Sequence, residues 1–274
     1  MKRVPLWAWC AIGLVVLVVL ITLVNVNTSA SDAEVTAATE TTTETTAAGD
    51  TEAEVTMVTA GFIEDAAANP AKPKTIVLLG DSTGAEPDQW APALGTAIGQ
   101  TYDRGVATKY WDTTTGEYGP MIGLNAGTNG PVGFWNGTAR GESVDYTIAN
   151  LDGMIRPEVT PDLILLNFGA AQGAETPLAE QVQPLIDRLE ATYPDADIAV
   201  ITQNPQPGVD SAAQVSEYAK AMEAEGIQVI SVYDAFPSDT AGLAATVTAT
   251  GAPSAQGQEL WTTTVLAAFG LSAP

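Results

Sequence analysis

The sequence of 274 residues contains no histidine, and Cys10 is its only cysteine. Without a second thiol the chain cannot form an intramolecular disulfide, and without histidine it lacks the usual ligands of zinc. Carboxylate sites for Ca²⁺ or Mg²⁺ remain chemically open, but no spacing typical of an EF-hand is present. We therefore expect no metal and no other cofactor. Histidine is also the most frequent general base in enzymes, so acid–base catalysis would need a base of another kind.

Basic residues are scarce as well. Ten Lys and Arg stand against 33 Asp and Glu, which gives a formal net charge of −23 at neutral pH. Binding to nucleic acid depends on cations that displace counterions from phosphate, and a surface this acidic repels the polymer. We therefore expect no nucleic-acid partner.

The N-terminal segment combines Lys2 and Arg3 with an uncharged apolar run from Val4 to Val24. A helix of this length crosses a hydrocarbon core of about 30 Å, and basic residues before it favour a cytoplasmic N-terminus. We predict a cytoplasmic tip and transmembrane anchor over residues 1–26, with the remainder of this single-pass protein outside the cytoplasm. The alternative is a secreted protein, released by cleavage of a signal peptide near Ala30.

Residues 27–72 are rich in Thr, Ala and Glu, and Phe62 is the only aromatic residue among them. Such a composition buries too little apolar surface to offset the chain entropy lost on folding. We predict a disordered linker over 27–72, followed by a folded domain over 73–274. A weak apolar periodicity from Val55 to Ala67 leaves a short helix there as the alternative.

From Lys74 onward, short apolar runs alternate with amphipathic segments, as in an α/β sheet with helices on both faces. The stretch between Tyr102 and Gly141 is rich in Gly, Asn, Thr and Trp. Apart from one strand candidate, Val132–Trp135, we predict that it forms loops over one end of the sheet. The five strand candidates are Thr75–Leu79, Val132–Trp135, Leu163–Asn167, Ile198–Thr202 and Gln228–Tyr233. The helix candidates are Asp88–Gln100, Val144–Ile155, Pro177–Tyr193, Ser211–Glu225 and Ala255–Phe269.

The motif Gly80-Asp81-Ser82 directly follows the first of these strands. Sites in open parallel sheets form beyond the carboxyl ends of the strands, which is where this serine would lie. From Lys74 to Leu271 the chain resembles the SGNH (GDSL-like) hydrolase family. The resemblance implies a three-layer α/β/α sandwich around a mostly parallel, five-stranded, flavodoxin-like sheet. It also implies an esterase fold, since many members hydrolyse acyl or acetyl esters of lipids and sugars.

Four sequence blocks carry the chemistry of that family, and only part of it is present here. Ser82 matches the nucleophile, and Gly141 best matches the glycine whose N–H contributes to the oxyanion hole. The position of the oxyanion asparagine holds Ala171 in the sequence Gly169-Ala-Ala171. The positions of the catalytic aspartate and histidine hold Ala249 and Ala252, although the proline and glycine that frame that block remain.

These substitutions predict a catalytically impaired pseudoenzyme that acts by binding. Its expected partners are the membrane, through the N-terminal helix, and an acyl- or acetyl-bearing glycan, a glycolipid or a protein of the cell envelope. One alternative is an active serine esterase with an unrecognised base. Another is an accessory structural subunit of a membrane assembly, in which the cleft has no role. The carboxylates considered as substitute bases are Asp81, Glu86, Asp88 and Asp234.

Overall fold

The computed structural model describes residues 55–272. These residues form eight strands and eight helices. The strands are β1 Lys74–Gly80, β2 Arg104–Asp112, β3 Glu117–Tyr118, β4 Ile122–Asn125, β5 Asn129–Thr138, β6 Leu163–Asn167, β7 Asp197–Ile201 and β8 Gln228–Ile230. The helices are α1 Val58–Ala68, α2 Trp90–Tyr102, α3 Val144–Met154, α4 Leu178–Thr192, α5 Ala212–Ala224, α6 Val232–Ala235, α7 Thr240–Thr246 and α8 Ala255–Ala268.

The strands form one mixed sheet in the order β3-β2-β5-β1-β6-β7-β8, and β4 also pairs with β2. Neighbouring strands from β2 to β8 pair in parallel, whereas β3 and β4 pair with β2 in the antiparallel sense. The prediction of five strands was therefore too low. The missed strands β2 to β4 lie in the stretch that was predicted to form loops. Buried and half-buried positions alternate along most of β2, so it lacks the continuous apolar run by which the central strands were recognised.

Helices cover both faces of the sheet, which confirms the α/β class. The side chains of β1 alternate between two cores: Ile76 and Leu78 belong to one, and Val77 and Leu79 to the other. The first core also contains buried residues of α1, α2 and α8. The second contains those of α3, α4 and α5. The fold is therefore a three-layer sandwich with the sheet in the middle.

Helix α1 lies within the segment predicted to be a linker. Its buried residues Thr59, Phe62, Ile63 and Ala66 follow the spacing of one helical face. Thr59 also accepts a hydrogen bond from Gln228 of β8, with 2.9 Å between Oγ1 and Nε2. The folded domain therefore starts before residue 73. The pattern was weak in the sequence because Thr and Ala occupy two of the four buried positions.

The chain between α1 and β1 is held in place by a buried arginine. The guanidinium of Arg104 donates to the carbonyls of Ala66 (2.7 Å), Asn69 (2.9 Å), Lys72 (2.9 Å) and Gly130 (2.8 Å). The carbonyls at a helix C-terminus have no partners within the helix, so a side-chain donor stabilises this end of α1.

The predicted anchor over 1–26, the cleavage site near Ala30 and the first part of the predicted linker lie outside the described residues. Among residues 55–272, no helix has both the length and the apolar character needed to cross a bilayer.

Candidate active site

Residues from all four predicted blocks line neighbouring cavities at one end of the sheet. Ser82, Gly141, Ala171 and Ala252 line the same cavity, of about 230 Å³, which we call the Ser82 cavity. Ala249 lines an adjacent cavity of about 370 Å³. The structure thus brings together four residues that lie up to 170 positions apart in the sequence (252 minus 82).

Strand register explains why the first three blocks meet. Gly80, the last residue of β1, is paired with Thr138 of β5 and with Asn167 of β6. The loops that follow these strands therefore begin side by side, at the carboxyl ends where sites form in open parallel sheets.

The fourth block, which contains Ala249 and Ala252, is positioned by Asn204, the third residue after β7. Its Nδ2 donates to the carbonyl of Gly251 at 3.1 Å, and its Oδ1 accepts from Nε1 of Trp261 in α8 at 3.2 Å. Asn204 is buried, and these two hydrogen bonds tie the loop containing Ala252 to the sheet and to α8.

Among the described residues, Asp81 is the only acidic side chain that lines the Ser82 cavity, and its carboxylate accepts four hydrogen bonds. Oδ2 accepts from the N–H of Gly169 (2.8 Å), the N–H of Ala171 (2.9 Å) and Nε2 of Gln172 (3.0 Å). Oδ1 accepts from Nε2 of Gln203 at 3.1 Å. Burial raises the pKa of Asp81 above its usual value, while these hydrogen bonds oppose the rise. The carboxylate thus holds the loop after β6, and its four hydrogen bonds go to that loop and to Gln203.

The two glutamines that bind Asp81 were missed in the sequence. Gln172 and Gln203 each follow the end of a strand, which places them at the right edge of the sheet but does not reveal their partner. The network continues inward, because Gln203 Nε2 also donates to Oδ1 of Asn167 at 2.6 Å. Asn167 in turn donates to the hydroxyl of Thr83 at 2.9 Å.

Gly141 differs from its expected role. It has a positive φ of 80°, a conformation that favours glycine, and its N–H donates to the carbonyl of Asp81 at 2.8 Å. An N–H that is bound to a backbone carbonyl is not directed at an anion in the cavity. In this structure Gly141 therefore closes the turn after β5 and does not present an oxyanion donor.

The other candidate bases lie elsewhere. Glu86 lines a neighbouring cavity and forms an exposed ion pair with Arg140, at 3.3 Å. Asp88 lines a third cavity, and Asp234 belongs to α6. Within the described part of the chain, no lysine lines the Ser82 cavity, and Arg140 is its one cationic side chain.

The aromatic residues of the segment 102–141 pack against one another. The ring of Tyr118 meets those of Trp111 and Trp135 edge to face, with centroids 5.3 and 4.9 Å apart. Phe134 is buried in the core. These rings hold the added strands and α3 together and do not form an exposed platform. Across residues 55–272, no group of three or more Cys, Asp or Glu side chains is arranged to hold a metal ion.

Comparison with solved structures identifies the fold. A peptidoglycan O-acetylesterase superposes with a TM-score of 0.57 at 10% identity, covering 78% of this chain and 94% of that one. A two-domain esterase active on acetylated mannans gives 0.55 at 11% identity, covering 80% and 54%. A lipase/acylhydrolase from Enterococcus faecalis gives 0.50 at 16% identity, covering 73% and 98%. No protein-family model matches the sequence, and no curated protein is significantly similar to it.

Residues 55–272 therefore have the fold of the SGNH (GDSL-like) hydrolases. At these identities the likeness concerns the fold. The chemistry has to be argued from the residues of the Ser82 cavity.

Proposed function

We propose that this protein is a membrane-anchored, extracytoplasmic SGNH-fold pseudoenzyme that binds an acyl- or acetyl-bearing ligand of the cell envelope. One observation carries the proposal. Among the described residues that line the cavity around Ser82, there is no histidine and no lysine, and the single carboxylate, that of Asp81, accepts four hydrogen bonds from the surrounding loops. A serine hydroxyl is a weak nucleophile at neutral pH unless an adjacent base takes its proton.

The oxyanion site is reduced as well. Ala171 has no side-chain donor, its own N–H is bound to Asp81, and the N–H of Gly141 is bound to the Asp81 carbonyl. Loss of one such donor costs on the order of 10²–10³ in rate. Loss of the base removes most of the rest, because members of a catalytic triad act as a unit. What remains is a small cavity whose lining includes the Ser82 hydroxyl, alanine methyl groups and the cationic side chain of Arg140.

Such a cavity suits a small acyl group better than it suits catalysis. The methyl groups of Ala171 and Ala252 replace two polar side chains and supply apolar contact to an acetyl group, while the Ser82 hydroxyl can donate to its carbonyl. Two of the structural neighbours are named for acetylated polysaccharides, peptidoglycan and mannan. These names support an acetylated glycan as the ligand, and a glycolipid or an envelope protein is the alternative occupant.

A fluorophosphonate probe that labels activated serines tests the loss of catalysis. We expect negligible labelling of the full-length chain, indistinguishable from that of Ser82→Ala. Robust labelling that disappears in Ser82→Ala would mean that a base exists, and would replace this proposal with an active esterase.

Calorimetric titration with an O-acetylated oligosaccharide and its deacetylated form tests the binding role. We expect the wild-type chain to prefer the acetylated form and Ala171→Leu, which fills the Ser82 cavity, to lose that preference. Ala213→Leu makes the same change on the exposed face of α5 and serves as the control. Equal binding of both forms by the wild type would leave the cleft without a role and favour an accessory structural subunit.

A further inference from the structure

The cavity next to the Ser82 cavity has five side-chain amides in its lining, and we call it the amide cavity. It measures about 370 Å³ and lies where β6 and β7 end, bounded by Gln203, Asn204 and Tyr218 among others. Four residues line both cavities: Ala170, Gln206, Thr250 and Gly251. The two cavities therefore adjoin, and one extended ligand can reach both.

None of the described residues that line the amide cavity is charged, although the chain carries 33 acidic residues. Its polar side chains belong to Gln, Asn, Ser, Thr and Tyr, and Phe168, Leu178 and Val215 supply apolar surface. An uncharged lining with both polar and apolar parts excludes a ligand held by ion pairs. It matches a neutral ligand that carries hydroxyl groups on a carbon skeleton.

Two buried groups in the lining have no hydrogen-bond partner among the described residues. These are Oε1 of Gln203 and the hydroxyl of Tyr218, whose residues are 5% and 1% exposed. Buried polar atoms of this kind are rare, and each calls for an explanation such as a bound ligand.

The orientation of the Gln203 amide is determined by its surroundings. Its Nε2 lies 3.1 Å from Asp81 Oδ1, 3.0 Å from the Asn167 carbonyl and 2.6 Å from Asn167 Oδ1. All three are acceptors, so the nitrogen must face them and Oε1 must remain on the other side. Gln203 thus presents a fixed acceptor that nothing in the described chain fills.

Tyr218 presents the complementary donor. Burial, and secondarily the negative charge of Asp81, raises the pKa of its phenol well above the ordinary value. The group therefore stays protonated at neutral pH. Hydroxyl groups both donate and accept, so those of a ligand can satisfy the acceptor Gln203 Oε1 and the donor of Tyr218. An alkyl chain in the same place would leave both unpaired.

We propose that the amide cavity binds a hydroxyl-bearing ring of a neutral glycan. The inference rests on the proposed function, since the acetyl substituent of the same glycan would occupy the adjoining Ser82 cavity. To the proposed function it adds two points. The sugar is uncharged, and its ring binds in a site separate from that of the acetyl group.

Titration of the full-length chain with three neutral oligosaccharides that carry no acetyl group tests the ring site: mannopentaose, cellopentaose and xylopentaose. We expect at least one to bind, and Tyr218→Phe to weaken that binding roughly five- to tenfold, as expected for one lost hydrogen bond. Tyr193→Phe is the matched control, because the Tyr193 hydroxyl bonds to the Ile155 carbonyl away from the cavity. Thermal unfolding checks that both variants fold.

The possible results separate the two proposals. If Ala171→Leu no longer prefers the acetylated oligosaccharide but binds the unacetylated ones as the wild type does, the result supports both the acetyl site and the ring site. Ring binding without any acetyl preference in the wild type contradicts the proposed function and leaves the amide cavity as a glycan site. Three results overturn the glycan inference: no neutral oligosaccharide binds at millimolar concentration, Tyr218→Phe binds as tightly as wild type, or octanoate binds in a Tyr218-dependent way.

Discussion

At the scale of single residues, Asp81 shows how one side chain can organise the loops around a candidate site. Its carboxylate joins the loop after β6 to Gln203, which follows β7. In the sequence, Asp81 is merely the residue before a candidate nucleophile. In the structure its backbone carbonyl also accepts from the N–H of Gly141, so this one residue contacts the loops after three strands.

Replacing Asp81 tests this organising role. Both oxygens of the Asp81 carboxylate accept hydrogen bonds from N–H groups. In Asp81→Asn an NH₂ group replaces one of these oxygens, so it would face an N–H donor and at least one hydrogen bond would be lost. We expect the free energy of unfolding to fall by about 1–3 kcal/mol, the cost of leaving buried polar groups unpaired. Urea denaturation measures it. Asp88→Asn, at an exposed position, should change stability by less than about 0.5 kcal/mol. Equal stability of the two variants would contradict the role.

At the scale of secondary-structure elements, α1 is attached by polar groups as well as by its apolar face. Arg104 binds the carbonyls at its C-terminal end. Lys74, also buried, pairs with Asp65 of α1 and with Asp162, which lies 2.8 Å from its Nζ. Two of the ten basic residues thus hold one helix to the sheet.

Loss of Arg104 should detach this end of α1. Arg104→Met keeps much of the volume but leaves the carbonyls of Ala66, Asn69, Lys72 and Gly130 without their donor. We expect a loss of about 3–5 kcal/mol in unfolding free energy and faster amide exchange in α1. Arg140→Met removes the exposed pair with Glu86 and should cost about 0–1 kcal/mol. Equal losses in the two variants would refute the attachment.

The pair of Lys74 and Asp65 predicts a response to acid. A hydrogen bond from Lys74 holds the pKa of Asp65 below its ordinary value. A lowered pKa in the folded state means that the pair's contribution to stability is present at neutral pH and is lost as the pH falls below about 4. The stability difference between wild type and Asp65→Asn should therefore shrink in that range. A constant difference from pH 7 to pH 3 would show that the pair does not contribute in this way.

At the scale of the whole molecule, the proposed topology places the acidic domain outside the cytoplasm. It rests on Lys2 and Arg3 before the apolar run from Val4 to Val24. Protease added to intact cells or spheroplasts should digest the domain and leave a membrane-embedded N-terminal fragment. Protection of the domain would refute the orientation, and a mature protein that begins near Ser31 would instead show a cleaved signal.

The sequence by itself determined the alternation of strands and helices and the position of Ser82 after the first strand. Continuous apolar runs such as Leu163–Asn167 are local patterns, and buried parallel strands require them. The absence of histidine likewise excludes the usual catalytic base whatever the fold. These features depend on residue type and near neighbours, so they can be recognised without the tertiary structure.

Only the tertiary structure decided which hydrogen-bond donors pair with which acceptors. The Gly141 N–H is bound to the Asp81 carbonyl, Gln203 reaches Asp81 across 122 positions, and Thr59 of α1 meets Gln228 across 169. Such partners are set by which strand ends adjoin in the sheet, and strand order is not encoded in local periodicity. Hydrogen bonds act over about 3 Å, so the state of each donor and acceptor around Ser82 depends on contacts between distant segments.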